Sequence, residues 1–255
     1  MTAAAPLMAL RLEMLRLTRS GTLVGLAVAF AFFGVSGPAI ALYMPQILGA
    51  ATGSGQLTIE AAEATPEAAV TLFTQSAMQL GLIFAVAVAV TALSWDTRPG
   101  SAVFYRTRLQ HLGALTLPRL AVDCLAAVAA YALGLVLAVT LTTLSIGPVS
   151  AAFGLRIGVA SALYLVMCMS IGHLVMTLTR RTAAAIALST ALVLVLPLLS
   201  QLPWIGAVAP TTLLAASELP TAALRGPAAL AVIVTTGCVG AATLLARGQA
   251  LRRDA

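Results

Sequence analysis

The sequence predicts an all-α integral membrane protein of six transmembrane helices, and three observations lead there. Apolar residues make up 60% of the 255 and charged residues only 9%, whereas soluble domains carry roughly a quarter charged. A water-soluble chain of this size has too few charges to cover its surface. The apolar residues gather in runs of about 20, the length that crosses a bilayer core at 1.5 Å per residue. The arginines collect in the segments between alternate runs, as cytosolic loops of membrane proteins do. That habit also accounts for the net charge of +6 without any nucleic acid.

The elements follow in chain order as a single domain, 1–255. Residues 1–20 form a leader carrying Arg11, Arg16 and Arg19. Leu7, Leu10, Met14 and Leu17 give it one apolar stripe, so an interfacial helix on the membrane surface is expected. The first span covers 21–43. Ala39-Ile40-Ala41 also fits a signal-peptide cleavage site, but the leader is long and the apolar run continues to that tripeptide. The stretch 44–71 has no basic residue and places Glu60, Glu63 and Glu67 along one helical face, which reads as an outer, solvated segment.

The second span covers 72–93. Thr71, Gln75 and Gln79 recur at i, i+4 and i+8, giving its outer half a polar stripe. Lipid penalises such a stripe, so it should face protein or water. The loop 94–119 follows, with Arg98, Arg106, Arg108 and Arg119. Within it a helix over 102–112 puts Ala102, Tyr105, Leu109 and Leu112 on one stripe, with Arg106, Thr107 and Gln110 facing away. The third span covers 120–144, where Asp123 stands four residues after Arg119, the spacing of an intrahelical pair. A short turn with Gly147-Pro148 leads to the fourth span, 156–178. Arg180-Arg181 separates it from the fifth, 183–200. Residues 201–226 hold Pro203, Pro210 and Pro220 yet stay apolar. They are too broken for a span and too apolar for a solvated loop, so re-entrant or interfacial short helices are expected, with Trp204 and Pro210 near the outer interface as a gate. The sixth span covers 227–246 and ends at Arg247, Arg252 and Arg253.

Twelve of the fourteen arginines fall in the leader, the 94–119 loop, the 180–181 turn and the tail; only Arg156 and Arg225 lie on the other side. Both termini are therefore expected in the cytosol.

Several chemistries are excluded or disfavoured. The chain has no lysine, so it cannot hold a G-x-x-x-x-G-K-[ST] phosphate loop or form a Schiff base. Gly34-Val35-Ser36-Gly37 looks like the serine motif of rhomboid intramembrane proteases, but small residues that let helices approach closely explain it better. His173 is expected to hydrogen-bond a neighbouring helix, and His111 to be a polar member of the loop helix. Cys124, Cys168 and Cys238 are spaced like no metal site and read as small buried apolar residues. No Asp, Glu or Arg lies deep in a span, which disfavours ion-coupled transport.

The arrangement resembles the permease subunit of type-2 ABC exporters (the ABC-2 family) along essentially the whole chain. In that family the loop between spans two and three opens with an acidic residue, then Gly-Thr, then a helix, and re-enters the membrane at a basic residue followed by leucines. Asp96, Gly100-Ser101, the helix 102–112 and Arg119-Leu120 fit that pattern. Arg98-Pro99 intrudes before the glycine, and the family's proline after the helix is missing, with Pro118 standing only just before re-entry.

The resemblance implies that the loop helix is a cytosolic coupling helix docking on a separate ATP-binding subunit, with Asp96, Arg98, Tyr105, Arg106, Arg108 and Leu109 at the contact. It implies a translocation path along span two, at Thr71, Gln75 and Gln79, and a working unit of two permease and two ATPase copies. This chain would then be no enzyme and hold no cofactor, ATP and magnesium belonging to the partner. The expected activity is export of an apolar or amphipathic substrate such as a drug, lipid or peptide across a bacterial inner membrane. The alternative is a non-transport membrane protein, either an assembly subunit or an intramembrane protease.

Overall fold

The computed structural model describes residues 4–51, 65–94, 113–206 and 208–251, and these are mostly helical, with no strand among them. Helix α1 is Ala4–Arg19 and α2 is Thr22–Ala51. Helix α3 is Pro66–Ala92 and contains a π-helical turn at Ala77–Gly81. Helices α4, α5, α6 and α7 are Gly113–Ser145, Ala151–Thr179, Thr182–Leu199 and Arg225–Leu251. Five helices, α2, α3, α4, α5 and α7, are long and apolar enough to cross a membrane. Helix α6 is apolar but shorter: its 18 residues reach about 27 Å.

Local chemistry explains several boundaries. Thr65 caps α3, its Oγ1 accepting the Ala68 N–H at 3.3 Å, and Pro66 fills the first helical position. Glu67 lies in that first turn, where a carboxylate suits the positive helix end. Helix α5 stops at Arg180, which takes a left-handed φ of 54° while its N–H bonds to Met176 O at 2.9 Å. That turn lets α6 begin two residues later. Between α1 and α2 the chain swings through Gly21 at φ 70°, a conformation open to glycine at no steric cost.

The core is held by close helix crossings rather than by large side chains alone. A side chain on Gly34 of α2 would collide with the carbonyl of Gly134 on α4, and one on Gly37 would come within 2.8 Å of the Phe73 backbone on α3. The small residues of the 34–37 motif thus serve packing, as expected, and Ser36 Oγ donates to Phe33 O in its own helix at 3.3 Å. Between the same three helices Tyr131 stacks on Phe73 at 5.4 Å and meets Phe30 edge-on at 5.8 Å. Helix α5 is the most enclosed of the long helices, 67% buried in its apolar window, and α7 the least, at 11%. The outer surface is rich in exposed leucine, with Leu144, Leu155 and Leu198 among the most exposed. Such a surface calls for lipid around it, not water.

Two expectations change at the third span. The helix begins at Gly113, so the last seven residues assigned to the 94–119 loop are helical. Pro118 and the expected re-entry residues Arg119-Leu120 therefore lie within α4, past its first turn. The segment 201–226 is broken as expected: a single turn at Pro203–Gly206, a 3-10 helix at Pro210–Ala215 and further turns up to α7.

Candidate functional site

The end of the bundle where α1, α3 and α4 meet holds a buried cluster of charges. Arg119 Nε lies 2.7 Å from Glu13 Oε1, and its Nη1 donates to the Ala92 carbonyl at 3.4 Å. Arg16 Nε lies 2.6 Å from Glu13 Oε2, and its Nη2 reaches Asp123 Oδ1 at 3.4 Å. Glu13, Arg119 and Asp123 are buried, and Arg16 is half-exposed. Among the described residues, two guanidiniums face two carboxylates here. Contact with opposite charge is what allows such groups to persist in a low-dielectric setting, where an unpaired one is costly.

This corrects two sequence expectations. Arg119 and Asp123 make no direct ion pair with each other at the spacing that predicted one; each instead pairs with a residue of the leader. The leader's inward face is also different, with Leu10, Glu13 and Leu17 turned toward the bundle while Met14 is exposed. Glu13 went unremarked in the sequence. The available signal was a lone carboxylate in a leader whose other charged residues are all arginine.

The polar stripe of α3 points away from the chain's own core. Thr71 is half-buried, its hydroxyl donating to Glu67 O at 2.8 Å, whereas Gln75 and Gln79 are exposed. Gln79 is the central residue of Pro66–Ala92 and lies in the π turn, beside Leu80, which is 63% exposed. Thus two amides project outward from the middle of an apolar helix. Helical π turns recur at functional positions.

At the opposite end, Gly147 lies against Pro66, joining the α4–α5 turn to the start of α3. Arg156, near the start of α5, donates from Nη2 to Ser217 O at 3.2 Å and sits over the Phe153 ring at 5.6 Å. That bond ties the broken 201–226 segment to the bundle. Pro210 opens the 3-10 helix and is half-buried; Trp204 lies in the Pro203–Gly206 turn, its side chain outside the described residues.

The loop residues Asp96, Arg98, Tyr105, Arg106, Arg108 and Leu109 all lie outside the described residues, as do Glu60, Glu63 and His111. His173 is buried, but the expected hydrogen bond from a neighbouring helix is not formed at its Nδ1. The cysteines are unpaired thiols, Cys124 and Cys168 buried and Cys238 half-buried. Neither a protein-family model nor a curated protein matches the sequence.

Proposed function

We propose that the chain is the membrane permease subunit of a type-2 ABC exporter. In this reading α6 is a sixth crossing, the termini are cytosolic, and the 201–226 segment re-enters the outer leaflet with Trp204 and Pro210 at the gate. The observation that carries the reading is the outward-facing pair Gln75 and Gln79, midway along α3 on an apolar surface. Lipid tails offer an amide no hydrogen bonds, and stranding one costs roughly 2–7 kcal/mol. A second protein copy or a polar path is therefore needed on that face, and a dimeric permease supplies both. The path takes an apolar or amphipathic molecule, since the one charged side chain among the described residues of α3 is Glu67, in its first turn and away from the amides at mid-helix.

Energy comes from a partner, because a chain without lysine lacks the lysine of a phosphate loop. The basic loop bearing Asp96, Arg98, Tyr105, Arg106, Arg108 and Leu109 is the docking element for that ATP-binding subunit. The test is co-purification with the ATP-binding cassette protein encoded beside it, if one is. Tyr105→Asp/Leu109→Asp is expected to insert normally and lose the partner, since two carboxylates in an apolar contact are strongly disfavoured. Wild-type recovery of the partner by this variant would overturn the docking assignment.

A further inference from the structure

We propose that the hydroxyls of Tyr131, Ser161 and Thr74 form a binding site for a single water molecule in the middle of the bundle, where α3, α4 and α5 meet. Tyr131 stands at the centre of the apolar stretch Thr116–Ser145 of α4. Its ring is held from two sides, stacked on Phe73 of α3 and edge-on to Phe30 of α2. Thr74 is the next residue of α3. The seam between α4 and α5 brings Ser161 to the same level. Gly154 packs on Val139 and Gly158 on Leu135, and one further turn in that register sets Ser161 beside Tyr131. The Ser161 and Thr74 hydroxyls are accordingly the polar neighbours of the Tyr131 hydroxyl.

All three residues are buried, Ser161 completely. Neither Tyr131 Oη nor Ser161 Oγ completes a hydrogen bond of ordinary geometry with a described residue. Thr74 Oγ1, by contrast, donates its proton to Val70 O at 3.1 Å. The three side chains therefore offer two protons that need an acceptor and one oxygen that can only accept. Water matches this set. It accepts from Tyr131 and Ser161 and donates to Thr74, the three hydrogen bonds that a buried water typically makes. Because a stranded buried hydroxyl is costly, a molecule that satisfies all three is held firmly. A cation suits the site poorly, since three neutral hydroxyls leave its charge uncompensated in an apolar interior. The bound water ties α3, α4 and α5 together at mid-depth by polar contacts that the surrounding apolar packing does not supply.

The site rests on these three side chains and not on the permease reading, so it is tested on the full-length chain alone. In lipid, a density map sharp enough to show ordered water is expected to place one peak within hydrogen-bonding reach of Tyr131 Oη, Ser161 Oγ and Thr74 Oγ1. Direct bonds among the three oxygens, with no peak between them, would overturn the proposal. Reversible unfolding in mixed micelles gives a second reading. Tyr131→Phe and Ser161→Ala should each raise the unfolding equilibrium constant roughly fivefold, the worth of one hydrogen bond. The double variant should fall well short of the product of the two effects, because both hydroxyls act through the same water. Single variants as stable as the wild type would mean that the hydroxyls hold nothing, and a fully multiplicative double variant that they hold nothing in common; either result sinks the site. Should Tyr131→Phe fail to insert, Thr74→Val combined with Ser161→Ala carries the same comparison with the aromatic packing intact.

Discussion

The carbonyl of Gly134 occupies the space that a side chain on Gly34 would need. Helices α2 and α4 thus meet backbone to backbone, the approach that small residues permit between membrane helices and that drives their association when lipid competes for apolar surface. Phe30, whose own carbonyl crowds Gly134, also meets Tyr131 at this crossing, so one contact sets both helix spacing and aromatic packing.

Gly134→Val is expected to force the two helices apart. Overpacking a close core typically costs about 1–3 kcal/mol, more where backbone must move. Gly240→Ala is the matched control, since nothing lies within 4 Å of that glycine. Denaturant unfolding in detergent should show a clear loss for the first and none for the second; equal stability of the two would contradict the crossing.

Gln75→Leu/Gln79→Leu separates a polar path from a lipid-facing surface. Both side chains are exposed on the single chain, so its stability should shift by no more than about 0.5 kcal/mol. Under the proposed function, export or dimer formation falls sharply. Gained stability with intact activity would mean that the amides face lipid after all.

Arg156→Gln removes the tie to Ser217 O and the contact with Phe153. A hydrogen bond from a charged donor is worth about 1.5–3 kcal/mol, enough to loosen the 201–226 segment. In a Trp95→Phe background, Trp204 emission reports the change: a red shift and easier quenching by a soluble agent are expected. An unchanged spectrum would show that the segment is held by other contacts.

The orientation rests on the arginine imbalance and is checked by labelling. An impermeant thiol reagent applied to intact cells should modify Ser54→Cys and Ser217→Cys but spare Gln249→Cys. The reverse pattern would invert the topology.

Much of the fold was legible in the sequence because its cause is one-dimensional. A run of apolar residues is helical in lipid whatever surrounds it, since every backbone polar group must be satisfied within the segment. That is why the apolar runs of α2, α3, α5 and α7 could be located, although α3 and α5 begin six and five residues before the expected 72 and 156, and why the prolines of 201–226 forecast a broken stretch. The motif at Gly34 and Gly37 was read correctly for the same reason: absent side chains mean close approach.

Tertiary structure alone decided which charges meet. Sequence spacing offered Arg119 a partner four residues away, on the same helix. Folding instead brought Glu13 to it across 106 positions, because burial at that end demands that every charge be matched in space, not along the chain. The outward aim of Gln75 and Gln79 was likewise set by which face of α3 packed inward, a choice made by Phe73 and its neighbours on α2 and α4. Periodicity reveals that a stripe exists; only the packing of the other helices determines what it faces.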